Sequence, residues 1–303
     1  MISDVNHTMR IALIINPSSG RGKAKARADA IEYGAKERGH TIDTLEIGRG
    51  AHPDGDRIAD ADIGIIVGGD GTVHHLLPQL IASQTPFLHC GTGTANLICH
   101  ALKMPTKPAG VLRQIELESE PKRIDVPTCN DHPFLIMTSL GMDASVIHRL
   151  EESRSLGGYR AYVRPVIREV LSPQFAHARV SIDEIPYPEL MRPGVIVVAN
   201  MPNYGGHFNP CANASWSDAQ LDVAHIPATT SLTAGLRYLA LRARIPAATT
   251  ARGRTITITG KLPTRVQIDG ERPQAIPHTL APDTALSFTL SPHTVLAHAP
   301  ELH

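Results

Sequence analysis

Gly68-Gly69-Asp70-Gly71-Thr72 decides how this chain is read. An apolar strand candidate, Ile63 to Val67, runs into it. A helical pattern leaves it, with Val73, Leu76, Leu77, Leu80 and Ile81 recurring at helical spacing. Three glycines around one aspartate suit a tight turn whose bare backbone N–H groups approach a phosphate. Asp70 is the odd member, because a carboxylate repels a phosphate unless a cation lies between them. The run therefore points to a nucleotide with a divalent metal, and Asp70 is the candidate that orients the metal-bound phosphates. The plain alternative is a glycine turn joining a strand to a helix.

Two further loops have the same setting. Strand candidate Ile11 to Ile15 enters Asn16-Pro17-Ser18-Ser19-Gly20-Arg21-Gly22-Lys23, and a helix carrying Ala24, Ala28, Ile31 and Ala35 follows. This is not a Walker A loop, since Pro17 stands where that motif needs glycine and Ala24 replaces the Ser/Thr after Lys23. Nor is it a Rossmann fingerprint, since Lys25 stands at the third glycine position. The third loop, Gly91-Thr92-Gly93-Thr94-Ala95-Asn96, follows Phe87 to Cys90 and leads into Leu97, Ile98, Ala101 and Leu102. Loops on successive βα units gather at the carboxyl edge of a parallel sheet, where open α/β sheets bind ligands.

Organisation changes near residue 128. Before it, strands 11–15, 41–47, 63–67 and 86–90 alternate with helices 23–38, 72–83, 95–102 and 108–118. That order predicts a mainly parallel sheet in an α/β domain over 1–128. Pro78 requires the helix over 72–83 to start late enough to hold it in the first turn. After residue 128 the chain reads as mostly extended, with strands 134–139, 178–182, 194–200, 221–226, 255–259, 264–268 and 285–290 and helices near 157–171 and 230–243. The alternation Thr255-Ile256-Thr257-Ile258-Thr259 is that of a half-buried antiparallel strand. A mostly antiparallel β domain over 129–303 is expected, its extreme C-terminus free to return to the first domain.

Hydrophobic residues make 42% of the 303, charged residues 19%, and formal net charge is zero, which describes an ordinary globular chain without global attraction to nucleic acid or anionic membrane. Aromatics are only 4%, so no basic cluster with interleaved aromatics points to nucleic acid. Cys90, Cys99, Cys129 and Cys211 form no Cys-x-x-Cys pair and read as reduced, buried thiols of a cytoplasmic protein. No stretch reaches the roughly 18 apolar residues that span a bilayer, and Met1 to Arg10 lacks a signal-peptide core.

The runs Asn16-Pro17-Ser18-Ser19-Gly20, Gly68-Gly69-Asp70-Gly71-Thr72 and Gly91-Thr92-Gly93-Thr94-Ala95-Asn96 together resemble the diacylglycerol kinase catalytic-domain family, which includes sphingosine and ceramide kinases and bacterial lipid kinases and is distantly related to NAD kinases and phosphofructokinases. The resemblance continues through Arg123-Ile124-Asp125, Ser139-Leu140-Gly141-Met142-Asp143-Ala144, Leu221-Asp222-Val223 and Asp269-Gly270-Glu271, in the family's order and over nearly the whole chain. It implies that the second domain is a β-sandwich. It also implies an ATP- and Mg²⁺-dependent kinase acting on a hydroxyl of diacylglycerol or a similar lipid, reached from the membrane surface by a cytoplasmic or peripheral protein. Oligomeric state is open, a homodimer included. Nucleotide-binding residues carried over are Asn16, Pro17, Ser18, Ser19, Gly20, Gly68, Gly69, Asp70, Gly71, Thr72, Gly91, Thr92, Gly93, Thr94 and Asn96.

On its residues alone, Asp269-Gly270 is a hairpin turn signal and Glu271 a turn residue. The resemblance implies instead that Glu271 takes the proton of the attacking hydroxyl, with Asp269 the competing acid. It implies Asp125 as a second acid near the ion at Asp70, against a plain strand-ending aspartate. It further implies a structural cation held by Asp218 with backbone groups near Ser215 and Gln220, against an ordinary turn; Ala219 stands where the family commonly has glycine. His74-His75 replace a frequent Asn-Glu, and Leu97 replaces an aspartate that extends the acid network. Adjacent helical histidines point about 100° apart and do not chelate one metal together; one is expected to line the site and the other to lie on the surface. Arg160, Arg164 and Arg168 make a basic stripe that reads as a solvated helix face or a contact for anionic headgroups. An NAD kinase is the first rival reading, opposed by the lack of a Thr-Pro-Thr-Gly-Ser-like segment. A non-catalytic nucleotide- or lipid-binding protein of the same fold is the second.

Overall fold

Contacts divide the chain into two units, Met1–Ile124 with His293–His303, and Asp125–Pro292. The computed structural model describes residues 8–48, 53–117, 119–153 (side chains to 149), 172–202, 204–205 and 208–300. The helix expected over 157–171, with its three arginines, lies outside the described residues.

In the first unit, β1 (Arg10–Ile15), β2 (Thr41–Glu46), β3 (Ile63–Gly68) and β4 (Phe87–Gly91) form a parallel sheet in the order β2-β1-β3-β4. The continuous apolar runs of β1 and β3 are buried, as strands covered on both faces must be. α1 (Lys23–Glu37) buries Ala24, Ala28, Ile31 and Ala35, and α5 (Pro108–Ile115) buries Val111, Leu112 and Ile115. Short α2 (Gly55–Ala59) and α4 (Leu97–Ala101) accompany the longer α3 (Asp70–Ser83). Pro78 sits well inside α3, not in its first turn. The inward stripe Val73, Leu76, Leu77 and Leu80 is fully buried, so packing on the sheet outweighs the lost Pro78 hydrogen bond. The end of the chain also joins this sheet: Ala297 pairs with Phe87, and His298 N donates to Phe87 O at 2.8 Å.

The second unit takes in most of β5 (Lys122–Cys129), which pairs with β6 (His132–Pro133). One antiparallel sheet contains β7 (Met137–Leu140), β10 (Gly194–Ala199), β11 (Leu221–Pro227), β12 (Thr249–Gly253), β14 (Thr264–Ile268) and β15 (Thr279–Leu280). A second runs β16-β13-β8-β9, from the first part of β16 (Ala285–Ala297) through β13 (Thr255–Gly260) and β8 (Ala178–Ile182) to β9 (Ile185–Pro186). Leu140, Ile196, Val198, Val223, Val266 and Ile268 of one sheet share a buried core with Val180, Ile256, Ile258, Leu286 and Phe288 of the other. This is the two-layer arrangement expected of a sandwich. α6 (Met142–Ser153) packs on β7, β10 and β14, and α7 (Ser231–Arg242) packs on β11. The strand expected from Phe134 begins only at Met137. The amides of Leu135, Ile136 and Met137 are engaged by a carboxylate, described below.

Candidate active site

The three glycine loops of the first unit meet at the carboxyl ends of β1, β3 and β4. Asn16 is the hinge of the first loop. Its N–H donates to Val67 O at 3.0 Å, its Oδ1 accepts from Ser18 N and Oγ, and its Nδ2 donates to Thr72 Oγ1 at 3.2 Å. Thr92 ties the third loop to both others, its N–H donating to Gly68 O at 2.7 Å and its hydroxyl to Ser19 Oγ at 2.8 Å. Glycine is required where these backbones touch. Gly20 has φ +62°, and a Cβ there would lie 2.4 Å from Thr92 O. A Cβ on Gly93 would lie 3.0 Å from Gly69 Cα. Pro17, Gly71 and Thr94 complete the same loops, and Thr94 is exposed.

Asp70 opens α3 and reaches across to the third loop. Its Oδ2 accepts from Leu97 N at 2.9 Å and its Oδ1 from Ile98 N at 3.1 Å. Asn96, at the N-cap of α4, is left-handed (φ 49°) and makes no capping bond, so Asp70 supplies the cap from another helix. The aspartate that Leu97 replaces is a side chain; what the structure uses at position 97 is the backbone N–H. Each Asp70 oxygen retains a second lone pair, and the nearby buried Oδ1 of Asn96 has no protein partner. Acceptors with spare capacity beside a glycine cradle fit a nucleotide phosphate with a divalent cation.

His89 lies beneath the loops, completely buried, with Nε2 3.1 Å from Gly68 O and Nδ1 3.3 Å from Cys99 Sγ. Burial lowers its pKa, opposed by the Asp70 charge, so it is the neutral ring that ties β3 to α4. His74 and His75 are both half-buried, their rings edge to face with centroids 5.6 Å apart. Neither is the exposed surface residue that the sequence suggests for one of them.

In the second unit, Asp269 and Gly270 form the two-residue loop of a hairpin, with φ 50° and 80°. Ile268 and Glu271 exchange both backbone bonds, at 3.0 and 2.9 Å. This is the type I′ pattern that Asp-Gly favours. The Asp269 carboxylate points inward and accepts from Leu135 N at 2.8 Å, Ile136 N at 2.8 Å and Met137 N at 3.0 Å. Those amides would otherwise be orphaned, and Asp269 is only 6% exposed. Its geometry is that of an anchor for the turn. Glu271, half-buried, leaves the hairpin on the next strand position.

A chain of polar side chains that sequence reasoning missed supports this turn. Gly270 N donates to Gln267 Oε1 at 2.7 Å, and Gln267 Nε2 donates to Ser139 Oγ at 2.6 Å. Ser139 Oγ and Tyr204 OH both donate to Asp143 Oδ2. Burial raises the Asp143 carboxyl pKa and raises that of the Tyr204 phenol further. The Ser139…Asp143 motif was visible in sequence, but its link to residue 270 needs the β7–β14 register, in which Ser139 lies opposite Gln267.

Asp125 and Asp218 come together in one loop system. Asp125 Oδ2 accepts from Ala219 N at 2.8 Å, and Asp125 N donates to Trp216 O at 2.8 Å. Ala219 takes the left-handed conformation (φ 55°) that the family's glycine would hold without strain. Asp218 Oδ1 accepts from Gln220 N at 3.2 Å, while Oδ2 accepts from Arg252 Nη2 at 3.1 Å. The same guanidinium nitrogen bonds Asp222 Oδ2 at 2.8 Å and Asn213 O at 3.2 Å. A fixed positive charge thus takes up the carboxylate on which the expected structural cation, with backbone groups near Ser215 and Gln220, depends, which disfavours a further cation there. No cluster of three or more His, Cys, Asp or Glu suited to a metal occurs among the described residues. No helix among them is long and apolar enough to cross a membrane.

Comparison with known proteins agrees with this architecture. Residues 10–129 match the model of the diacylglycerol kinase catalytic domain, and residues 137–295 match that of the YegS C-terminal NAD kinase beta sandwich-like domain. A diacylglycerol kinase of Mycobacterium tuberculosis (strain H37Rv) is 26% identical over 226 residues, 71% of this chain and 72% of that protein. An uncharacterized protein of Synechocystis (strain PCC 6803) is 27% identical over 73% of this chain, but the match spans about half (54%) of its own length. A crystal structure of a diacylglycerol kinase from Bacillus anthracis (strain Sterne) superposes with a TM-score of 0.66 at 18% identity, over 96% of this chain and 97% of that one. At that identity it establishes the fold. With both domain models matched in order over most of its length, the chain belongs to the diacylglycerol kinase catalytic-domain family, in the branch with a YegS-like β-sandwich.

Proposed function

We propose that the protein is an ATP-dependent lipid kinase that transfers the γ-phosphate to a hydroxyl of diacylglycerol or a similar lipid. The observation that carries this reading is Asp70 clamping two glycine loops, whose backbones approach too closely for side chains. The loops around Asn16–Gly20, Gly68–Thr72 and Gly91–Asn96 would hold the nucleotide phosphates. Asp70, with the unpartnered Oδ1 of Asn96 nearby, would hold Mg²⁺, which when bound offsets phosphate charge. Asp125 remains a proposed second acid for that ion.

In the proposed step the lipid hydroxyl oxygen bonds to the γ-phosphorus, the bond from that phosphorus to the β–γ bridging oxygen breaks, and ADP leaves. The hydroxyl proton passes to the Glu271 carboxylate. Glu271 is preferred to Asp269 because the latter's oxygens are occupied by three buried amides. The test is a radiolabelled γ-phosphate transfer screen over a lipid panel, with NAD assayed beside it. Label in a lipid, dependent on Mg²⁺, supports the reading. Label in NAD and in no lipid overturns the substrate class, and nucleotide binding without any transfer overturns the kinase in favour of a binding protein.

A further inference from the structure

Among the described residues, four of the eight exposed large hydrophobics lie in one short segment of the second unit. Leu232, Leu236 and Leu239 on α7 are 73%, 59% and 62% exposed, and Ile245 just beyond the helix is 57% exposed. At about 100° per residue the three leucines form one stripe, roughly opposite the inward Ala234 and Leu241. Single exposed leucines are ordinary, but a continuous stripe on one helix is a contact surface.

The charge along the segment narrows what the stripe contacts. Residues 223–268 contain no Asp or Glu. Arg237, Arg242 and Arg244 are exposed on the same segment, and no ion pair to any of the three occurs among the described residues. Beside the helix is a groove of about 540 Å³ lined by Arg192, Arg237, Thr229, Thr233, Leu236 and Pro246. Two guanidinium groups and two hydroxyls around an open groove are donors suited to a phosphate. Apolar side chains projecting outward, with cations and no anions along the same segment, make the pattern of a helix lying in a membrane interface.

We infer that α7 and the Arg244–Pro246 turn are a docking face for an anionic bilayer, with the leucines entering the acyl boundary and the groove between Arg192 and Arg237 receiving a headgroup phosphate. The choice of a bilayer over a protein partner rests on the lipid-kinase reading; the shape and charge of the face do not.

The test is cosedimentation of the full chain, without nucleotide, with vesicles of phosphatidylcholine alone or with 30 mol% phosphatidylglycerol, the probe composition. Wild-type protein is expected to bind the anionic vesicles and to bind the neutral ones weakly. Leu236→Glu/Leu239→Glu should weaken binding at least about tenfold. Arg192→Gln/Arg242→Gln/Arg244→Gln should lose about fivefold per arginine on anionic vesicles only. These residues are exposed, and unchanged melting curves verify that the variants fold. Wild-type affinity in both variants, or no vesicle binding by the wild type, overturns the assignment. A concentration-dependent dimer abolished by the leucine variant, with vesicle binding unchanged, assigns the face to a second copy and also overturns it. Phosphate transfer in detergent micelles separates the two readings. Transfer without vesicle binding refutes the docking face alone, and vesicle binding without transfer to any lipid refutes the kinase alone.

Discussion

Asp269→Asn tests whether this acid anchors the hairpin. The side chain keeps its size, and Asn tolerates the left-handed backbone at φ 50° as well as Asp does, so the change isolates the carboxylate. Asp269 Oδ1 serves Ile136 and Met137 and Oδ2 serves Leu135. In Asn one oxygen keeps two neutral bonds, and the new NH₂ faces the Leu135 N–H, donor against donor. One charge-assisted bond, worth about 1.5–3 kcal/mol, is lost, and the other two weaken, giving a total near 3–4 kcal/mol. For a protein of this size that lowers Tm by about 6–15 °C. Thermal melts by circular dichroism or calorimetry read the shift. A Tm within about 1 °C of wild type, with turnover abolished below the melting range, would refute the anchoring argument and restore Asp269 as the proton acceptor.

Other expectations follow from the same geometry. Chelator should leave the wild-type melt unchanged, whereas Arg252→Met, which strands the nearly buried Asp222, should cost about 1–3 kcal/mol, discounted because Arg252 is partly exposed; a chelator-induced drop in Tm would reinstate a structural cation at Asp218. Burial pushes the Cys90 thiol to about 11 and the Cys99 and Cys129 thiols to about 12 and raises that of Cys211, so a thiol reagent at pH 8 should label none of the four until denaturant is added. His89 has a folded pKa below its unfolded value near 6.5, so its contribution to stability is complete above that pH and is lost as pH falls toward the folded pKa. The acid slope of unfolding free energy in urea should therefore flatten in His89→Gln by up to about 1.4 kcal/mol per pH unit, and an unchanged slope would refute a neutral buried His89.

What the sequence revealed was local. Strand, glycine loop and helix follow one another within about twenty residues, so the three loops of the first unit and the Asp-Gly hairpin could be read directly. The role of Asp70 as cap of α4 could not, because the amides it meets lie at residues 97 and 98, on another βα unit. Asp269 finds its amides 132 to 134 residues away in the chain. Those bonds also delay the strand expected from Phe134, since the amides that would enter a ladder are already bound. Edge strand β12 escaped notice because Thr249-Thr250-Ala251-Arg252 is mostly exposed and shows no apolar alternation. Helix α6 lies just beyond the strand expected over 134–139 and shows no apolar stripe at its start, where Asp143 faces a buried polar network in place of an apolar core. At Pro78 local propensity and tertiary packing disagree, and packing prevails. The departure at Leu97 became intelligible only in three dimensions, where its backbone amide serves Asp70, and so did the bond from Arg252 to Asp218, which are 34 residues apart.

The most direct test of the account is the turnover of Glu271→Gln on the best lipid acceptor, measured beside its nucleotide affinity. The substitution preserves size and hydrogen bonding and removes the basic carboxylate. Transfer by way of Glu271 predicts a turnover lowered roughly 10²- to 10⁴-fold, with nucleotide affinity unchanged, because the phosphate loops belong to the other unit, and with the melting curve unchanged. Wild-type turnover in Glu271→Gln would contradict the assignment of Glu271 as the proton acceptor.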